Sequence, residues 1–302
     1  MRRNQDQQFE FGRTVSDEFN NVTDLYTVSY RDPIQRNHNL RLGMDYELTE
    51  KTVIGVIIDA YDQKWSMDAV NESVETENGN PKSFVELIND ERNQWQHFGS
   101  NLNIKHNFRA DEYLSVNFDY LYWYNENPTN YSNSFYDENG ALIKEELTNS
   151  DKTTPLSSLV PSADYSKQIT EDLRLDTGVK MALNKFENDV VVNTFDGDEF
   201  IPDPTLTNFS ELEENIFAIY ASTDYNISKK TNAKLGLRYE HTDSELNTDK
   251  EGRDVDRTYG ELFPSAFVTH PVNDSLSFGV SYIRRITRPT FNEMAPFVIF
   301  ID

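Results

Sequence analysis

The sequence predicts an all-β fold in which long antiparallel strands run up and down in sequential hairpins. Three observations predict it: apolar and polar residues alternate with a period of two, short turns alternate with long polar connections, and no apolar run reaches the length of a membrane helix. Of the 302 residues, 37% are hydrophobic and 13% are aromatic. Because a disordered chain would be poor in aromatic residues, this composition favours a folded structure with one apolar and one wet face.

The clearest alternation runs from Leu114 to Tyr124, where apolar or aromatic side chains occupy every second position and Ser115, Asn117 and Asp119 lie between them. Similar segments occur at residues 40–48, 102–108, 173–183, 235–239 and 276–282. Since helical spacing would scatter these residues around an axis, each segment is predicted to be a strand. The hairpins give about ten long strands, and an eleventh is predicted at residues 22–30.

The connections between these strands alternate in length. Short polar turns are predicted at residues 49–52, 110–112, 170–172, 228–231 and 272–275, and long acidic connections at about 65–92, 126–151, 187–210 and 243–256. This order collects the long connections at one end of the sheet, as in outer-membrane barrels with short periplasmic turns and long external loops. Residues 1–302 are therefore predicted to form one domain, part of an antiparallel up-and-down transmembrane β-barrel. Alternation alone also fits a soluble sandwich, whose apolar face meets a second sheet.

In a barrel the apolar face meets lipid and the polar face lines the lumen. Aromatic residues near the long connections predict an interfacial girdle of Tyr120, Tyr122 and Tyr124, although tyrosine also favours strands in general. The residues predicted to face lipid are Leu42, Met44, Leu114, Val116, Phe118, Leu235, Leu237, Leu276, Phe278 and Val280.

The two ends of the chain predict a fragment of a longer barrel. Residues 1–5 are not followed by an apolar segment, so no signal peptide is predicted. The last segment, from Ser281 onward, begins a new connection and stops. A finished barrel leaves no open edge in lipid, because each unpaired backbone group there costs several kcal/mol.

Little in the sequence points to catalysis. It contains no cysteine, and its five histidines have no metal-ligand spacing. No nucleophile elbow, phosphate-binding loop or dinucleotide fingerprint occurs. We therefore predict no enzyme activity, catalytic residue, metal site or cofactor. The net charge of −24 argues against nucleic acid as a partner. The acidic connections are interpreted as solvated tips, with divalent-cation binding as the alternative.

Arg284, Arg285 and Arg288 form a cationic cluster in this acidic chain. One interpretation is that they form salt bridges with lumen acids such as Asp45 or Glu240. The other is that they contact an anionic substrate or a plug domain, which makes them candidate substrate-binding residues of the lumen.

Several segments resemble the barrel of TonB-dependent outer-membrane receptors, in the branch common in Bacteroidetes. The most specific is the Ser-Tyr-x-Arg-Arg-x-x-Arg-Pro element that begins at Ser281. The other similar segments are residues 40–48, 214–221, 235–242, 262–267, 276–291 and 295–297. The resemblance extends over most of the chain.

The resemblance implies a barrel of about 22 strands that encloses a plug. It further implies the outer membrane of a Gram-negative bacterium and energised uptake of a scarce solute, such as a siderophore, an oligosaccharide or a peptide. The implied partners are outer-membrane lipid, a plug domain in cis, the TonB energy-coupling protein and a surface lipoprotein. The plug and the last strands of such a barrel are not in this sequence. Two alternatives stay open: a passive porin-like or structural barrel, and a secreted soluble glycan-binding β-protein.

Overall fold

A computed structural model of the chain describes residues 2–4, 6–16, 21–249 and 255–288. These residues form one antiparallel sheet of fourteen strands. The strands are β1 Arg2–Asn4, β2 Gln7–Ser16, β3 Val22–Thr49, β4 Thr52–Glu77, β5 Asn80–Arg109, β6 Glu112–Glu126, β7 Thr129–Asp137, β8 Leu142–Thr170, β9 Leu173–Phe195, β10 Phe200–Pro202, β11 Asn208–Ser228, β12 Thr231–Thr248, β13 Val255–Asn273 and β14 Leu276–Ile283.

The sheet is an up-and-down meander, as the sequence predicts. Its order is β1-β3-β4-β5-β6-β8-β9-β11-β12-β13-β14, with β2 also on β3, β10 on β9, and β7 between β5 and β8. All five predicted short turns are confirmed, because the strands that flank them pair directly. Within the described ranges no helix is long and apolar enough to cross a membrane.

The prediction of long loops is wrong for most of their length. Residues 65–92 are the paired ends of β4 and β5, joined by a tight turn in which Asn78 and Gly79 have φ of 52° and 82°. Residues 126–151 and 187–210 are likewise mostly strand, and of residues 243–256 the segment 250–254 lies outside the described residues. The predicted strand at 22–30 is the far part of β3. Polar composition does not end a strand whose backbone ladder continues, and the sequence interpretation took polarity as a loop signal.

The register collects the apolar residues of successive strands on one side of the sheet, called the apolar face below. Directly opposite residues of an antiparallel ladder share a face. One such row reads Tyr46, Ile54, Ile104, Val116, Ala163, Val179, Ile219, Tyr239 and Leu262.

The apolar face is exposed. Met44 is 65% exposed and Val280 is 73% exposed, and the described residues form no second sheet that covers them. The buried apolar residues among those described are few and mostly small: Met67, Ala69, Val192, Ala218, Ala233 and Leu246. An uncovered apolar surface of this extent is typical of contact with a membrane or with another protein.

Candidate functional site

The opposite side of the sheet, called the polar face below, carries charged residues and glycines along the whole meander. One row across it reads Lys105, Ser115, Asp164, Gly178, Tyr220 and Arg238. In a barrel this face lines the lumen, so candidate binding residues are sought here.

A pocket of about 640 Å³ lies on the polar face near the short turns. Its charges are balanced, because Lys105, Arg174 and Lys234 stand among three aspartates. The residues that line this polar pocket are Lys105, Tyr113, Ser115, Asp164, Tyr165, Ser166, Arg174, Asp176, Thr177, Tyr220, Asp224 and Lys234.

Tyr220 is held in the polar pocket by two neighbours. Its hydroxyl donates a hydrogen bond to Asp164, and its ring covers Gly178. A Cβ at Gly178 would lie 2.5 Å from Tyr220 Cζ, so this arrangement requires glycine. The Arg238 guanidinium lies 5.2 Å from the centre of the same ring, a cation–π distance.

Tyr113 lies between two cations. Lys105 Nζ is 4.7 Å from the centre of the Tyr113 ring, and the guanidinium carbon of Arg174 is 5.9 Å from it. Arg174 Nε also donates to Ser166 Oγ at 2.9 Å, and Ser166 Oγ donates to Asp176 Oδ1 at 2.5 Å. This pocket therefore offers aromatic rings, donors and acceptors that are already oriented, which suits binding of a polar solute.

The structure pairs two of the three predicted arginines with acids. Arg288 forms a salt bridge with Glu240, which confirms the interpretation that named this acid, and Arg238 Nε lies 2.6 Å from the other oxygen of Glu240. Arg284 pairs with Glu261. Arg285 is exposed, and its contact with a substrate or plug stays a prediction.

A buried histidine on the polar face was missed by the sequence interpretation. The His97 side chain is only 7% exposed; its Nε2 lies 2.8 Å from Asp59 Oδ2 and its Nδ1 lies 3.0 Å from the Tyr122 carbonyl oxygen. Both partners of the ring, a carboxylate oxygen and a backbone carbonyl oxygen, are hydrogen-bond acceptors. The ring stacks on Trp123 with centroids 4.5 Å apart. The sequence interpretation tested the histidines only for metal-ligand spacing. The His97–Asp59 pair forms because β4 and β5 are neighbours in the sheet, which spacing along the sequence does not show.

In two hairpin tips, an aspartate carboxylate accepts hydrogen bonds from backbone amides of the same tip. The amides of Glu199 and Asp198 donate to Asp196 Oδ1 at 3.0 and 2.9 Å, and these hydrogen bonds lower the pKa of the Asp196 carboxyl. Asp137 accepts from the amides of Ala141 and Asn139 in the same way, which lowers its pKa. Turn capping therefore accounts for these two tip carboxylates.

The residues predicted to face lipid all lie on the apolar face. Tyr120, Tyr122 and Tyr124 continue that face along β6, beyond Phe118 and away from the short turns. Their contact with lipid and with the interface stays a prediction.

Comparisons with known proteins give one family match. The model described as outer membrane protein beta-barrel family matches residues 106–302. A search of the curated proteins finds no match.

Among solved structures, the translocator domain of the autotransporter NalP from Neisseria meningitidis is similar at 12% identity and a TM-score of 0.30, over 93% of this chain and 81% of that one. The ferric citrate transporter FecA is similar at 13% identity and a TM-score of 0.42, over 89% of this chain and 42% of that one. The ferric yersiniabactin uptake receptor FyuA from Yersinia pestis is similar at 9% identity and a TM-score of 0.38, over 91% and 45%. The chain thus spans less than half the length of these two proteins.

Proposed function

The chain belongs to the outer membrane protein beta-barrel family, and from that premise we propose that it is the barrel part of a TonB-dependent receptor that takes up a scarce solute. The proposed solutes are siderophores, oligosaccharides or peptides. The proposal includes the outer membrane of a Gram-negative bacterium as its location and no enzyme activity of the barrel.

The observation that carries the proposal is the polar pocket. It lies on the face opposite the exposed apolar surface, and its two tyrosines are already oriented by cations and by Asp164. Such pre-oriented groups lower the cost of ordering a binding site when a ligand arrives. A solute rich in hydroxyl, amide or carboxylate groups matches the mixture of donors and acceptors.

The partners are proposed for the longer protein of which this chain is the barrel part. They are a plug domain in cis, the TonB energy-coupling protein and a surface lipoprotein. Their support is the resemblance of the element that begins at Ser281 to TonB-dependent receptors, and the exposed position of Arg285 within that element.

The exposed apolar face argues against the soluble glycan-binding alternative, since in water it would present Met44, Phe118 and Val280 to solvent. A passive porin-like barrel shares the apolar face and differs in needing no energy. The test is therefore uptake by cells that express the full-length protein, with and without TonB. Energised uptake is expected to fall at least about tenfold without TonB, whereas unchanged uptake would favour the passive barrel.

Replacement of Tyr113 by Ala tests the polar pocket within the same experiment, because it removes the ring between Lys105 and Arg174. Uptake at low solute concentration is expected to fall, with an unchanged amount of folded protein in the membrane. Phe118→Ala is the matched control, since Phe118 lies on the apolar face away from the pocket. Equal loss of uptake in both variants would contradict a role for the pocket.

A further inference from the structure

All three tryptophans of the sequence lie on the polar face. They are Trp65 of β4, Trp95 of β5 and Trp123 of β6, and the ladders between these strands have no shift between them and the row of Lys105 and Ser115. In barrel walls, tryptophan is typical of the lipid-facing girdle. Its placement on the face that lines a lumen therefore needs a different explanation.

The three tryptophans lie along a diagonal across the sheet. Trp65 is opposite Asn93, which is two residues from Trp95, and Trp95 is opposite Asn125, which is two residues from Trp123. Diagonal neighbours of this kind are about 7–8 Å apart, within reach of large aromatic side chains. We call Trp65, Trp95 and Trp123 the tryptophan track. It runs from Trp123 away from the short turns.

The tryptophan track is held in place at its inner end and exposed in its middle. The Trp123 ring stacks on His97, with 4.5 Å between ring centroids and 27° between ring planes. His97 is in turn fixed by Asp59 at 2.8 Å and by the Tyr122 carbonyl oxygen at 3.0 Å. Trp95 is 37% exposed, so part of its surface is available to a ligand.

The wall beside the tryptophan track is uncharged and hydrogen-bonding. Gln63 and Asn125 stand on either side of Trp95. The Asn125 side-chain amide is already oriented, because it donates to Asn93 Oδ1 at 2.7 Å and to the Gln94 carbonyl oxygen at 3.0 Å. By contrast, the polar pocket near the short turns combines three cations with three aspartates. A ligand at the track therefore meets aromatic rings and neutral amides.

We propose that the tryptophan track binds an uncharged oligosaccharide, with successive sugar rings on successive tryptophans. A pyranose ring has a face of C–H groups, which packs on the negative face of an aromatic ring, and a rim of hydroxyl groups, which exchange hydrogen bonds with side-chain amides. A charged peptide or a carboxylate-rich iron chelate would leave its charges unpaired on this neutral wall.

The inference names one class among the proposed solutes and so rests on the proposed function for its role in uptake. Binding itself requires neither TonB nor energy. It is measured by isothermal titration calorimetry of the purified full-length protein in detergent, with maltohexaose, cellohexaose, xylohexaose and mannohexaose as probes. At least one hexasaccharide is expected to bind, and about tenfold more tightly than its disaccharide, because it reaches more than one tryptophan.

Trp95→Ala is expected to weaken binding of that hexasaccharide about tenfold, and Trp95→Phe, which keeps an aromatic ring, less than about threefold. Trp65→Ala gives a second test at the outer end of the track, with the same expected loss. Phe98→Ala is the matched control, since Phe98 is 41% exposed on the same strand but lies on the apolar face. It is expected to change binding less than about twofold.

Absence of binding by every probe, absence of a gain with chain length, or an equal loss in Phe98→Ala overturns the proposal. An uncharged, phenylalanine-containing hexapeptide that binds as tightly as the best hexasaccharide, with the same dependence on Trp95, overturns the commitment to a sugar. Sugar binding without TonB-dependent uptake contradicts the proposed function alone. TonB-dependent uptake without sugar binding contradicts this inference alone.

Discussion

Replacing Phe118 by Arg places a charge at the middle of the apolar face. Phe118 is 46% exposed, and its neighbours across the ladder are Leu102 and Pro161. If lipid covers this face, an arginine near the membrane midplane costs about 2–4 kcal/mol. That cost lowers the folding equilibrium constant by about 30-fold to about 700-fold, since each 1.4 kcal/mol is about a factor of ten. If water covered the face, an exposed arginine would change stability by less than about 0.5 kcal/mol.

The assay is urea unfolding of the full-length protein from phospholipid vesicles. Asn117→Arg is the control, because Asn117 is adjacent in sequence and therefore at the same depth, but lies on the polar face opposite Asn103 and Ser162. We expect this control to stay within about 1 kcal/mol of the unchanged protein. Equal destabilisation by both arginines, or no effect of Phe118→Arg, would refute the assignment of the two faces.

Three further predictions concern contacts of the polar face and a hairpin tip. Gly178→Ala is expected to destabilise the protein by about 1–3 kcal/mol in the same unfolding assay, because the added methyl group displaces the Tyr220 ring. When Tyr220 is already replaced by Ala, the added effect of Gly178→Ala should be much smaller. Glu240→Gln is expected to lower the free energy of unfolding by about 1–3 kcal/mol, since it leaves Arg238 and Arg288 without their carboxylate. Glu261→Gln should lower it by less than about 1 kcal/mol, because its partner Arg284 is more exposed. The opposite order would contradict the salt-bridge assignment. The pKa of the Asp196 carboxyl is lowered in the folded tip, so the ionised carboxylate stabilises the tip above the ordinary pKa of 3.8. This stabilisation is lost as the pH falls through the lower pKa of the folded state, and hydrogen exchange of the tip amides should accelerate in that pH range. Asp196→Asn should abolish this pH dependence.

The strands and turns could be predicted because their signals are local. The alternation from Leu114 to Tyr124 follows from the two-residue period of a strand, and Ser228 to Thr231 contains its own turn. The polar far parts of β4 and β5 could not be recognised, because their extension depends on the neighbouring strand and not on their own polarity. The Asn78–Gly79 turn between them is a local hairpin signal. The sequence interpretation nevertheless predicted a long connection here, because the surrounding residues are polar.

The candidate site depended on the register. Tyr220 and Asp164 are 56 residues apart, and His97 and Asp59 are 38 apart, so no spacing in the sequence relates them. Glu240 could be named as a partner of the arginine cluster because alternation already assigned it to the polar face.

By itself, the sequence determined that the alternating segments are strands, which side chains of each segment share a face and where the short turns lie, since these follow from steric preferences over a few residues. Only the tertiary structure decided which residues of different strands stand opposite each other. Register is a non-local property, because it depends on the whole ladder of hydrogen bonds between neighbouring strands. The polar pocket arises from that register.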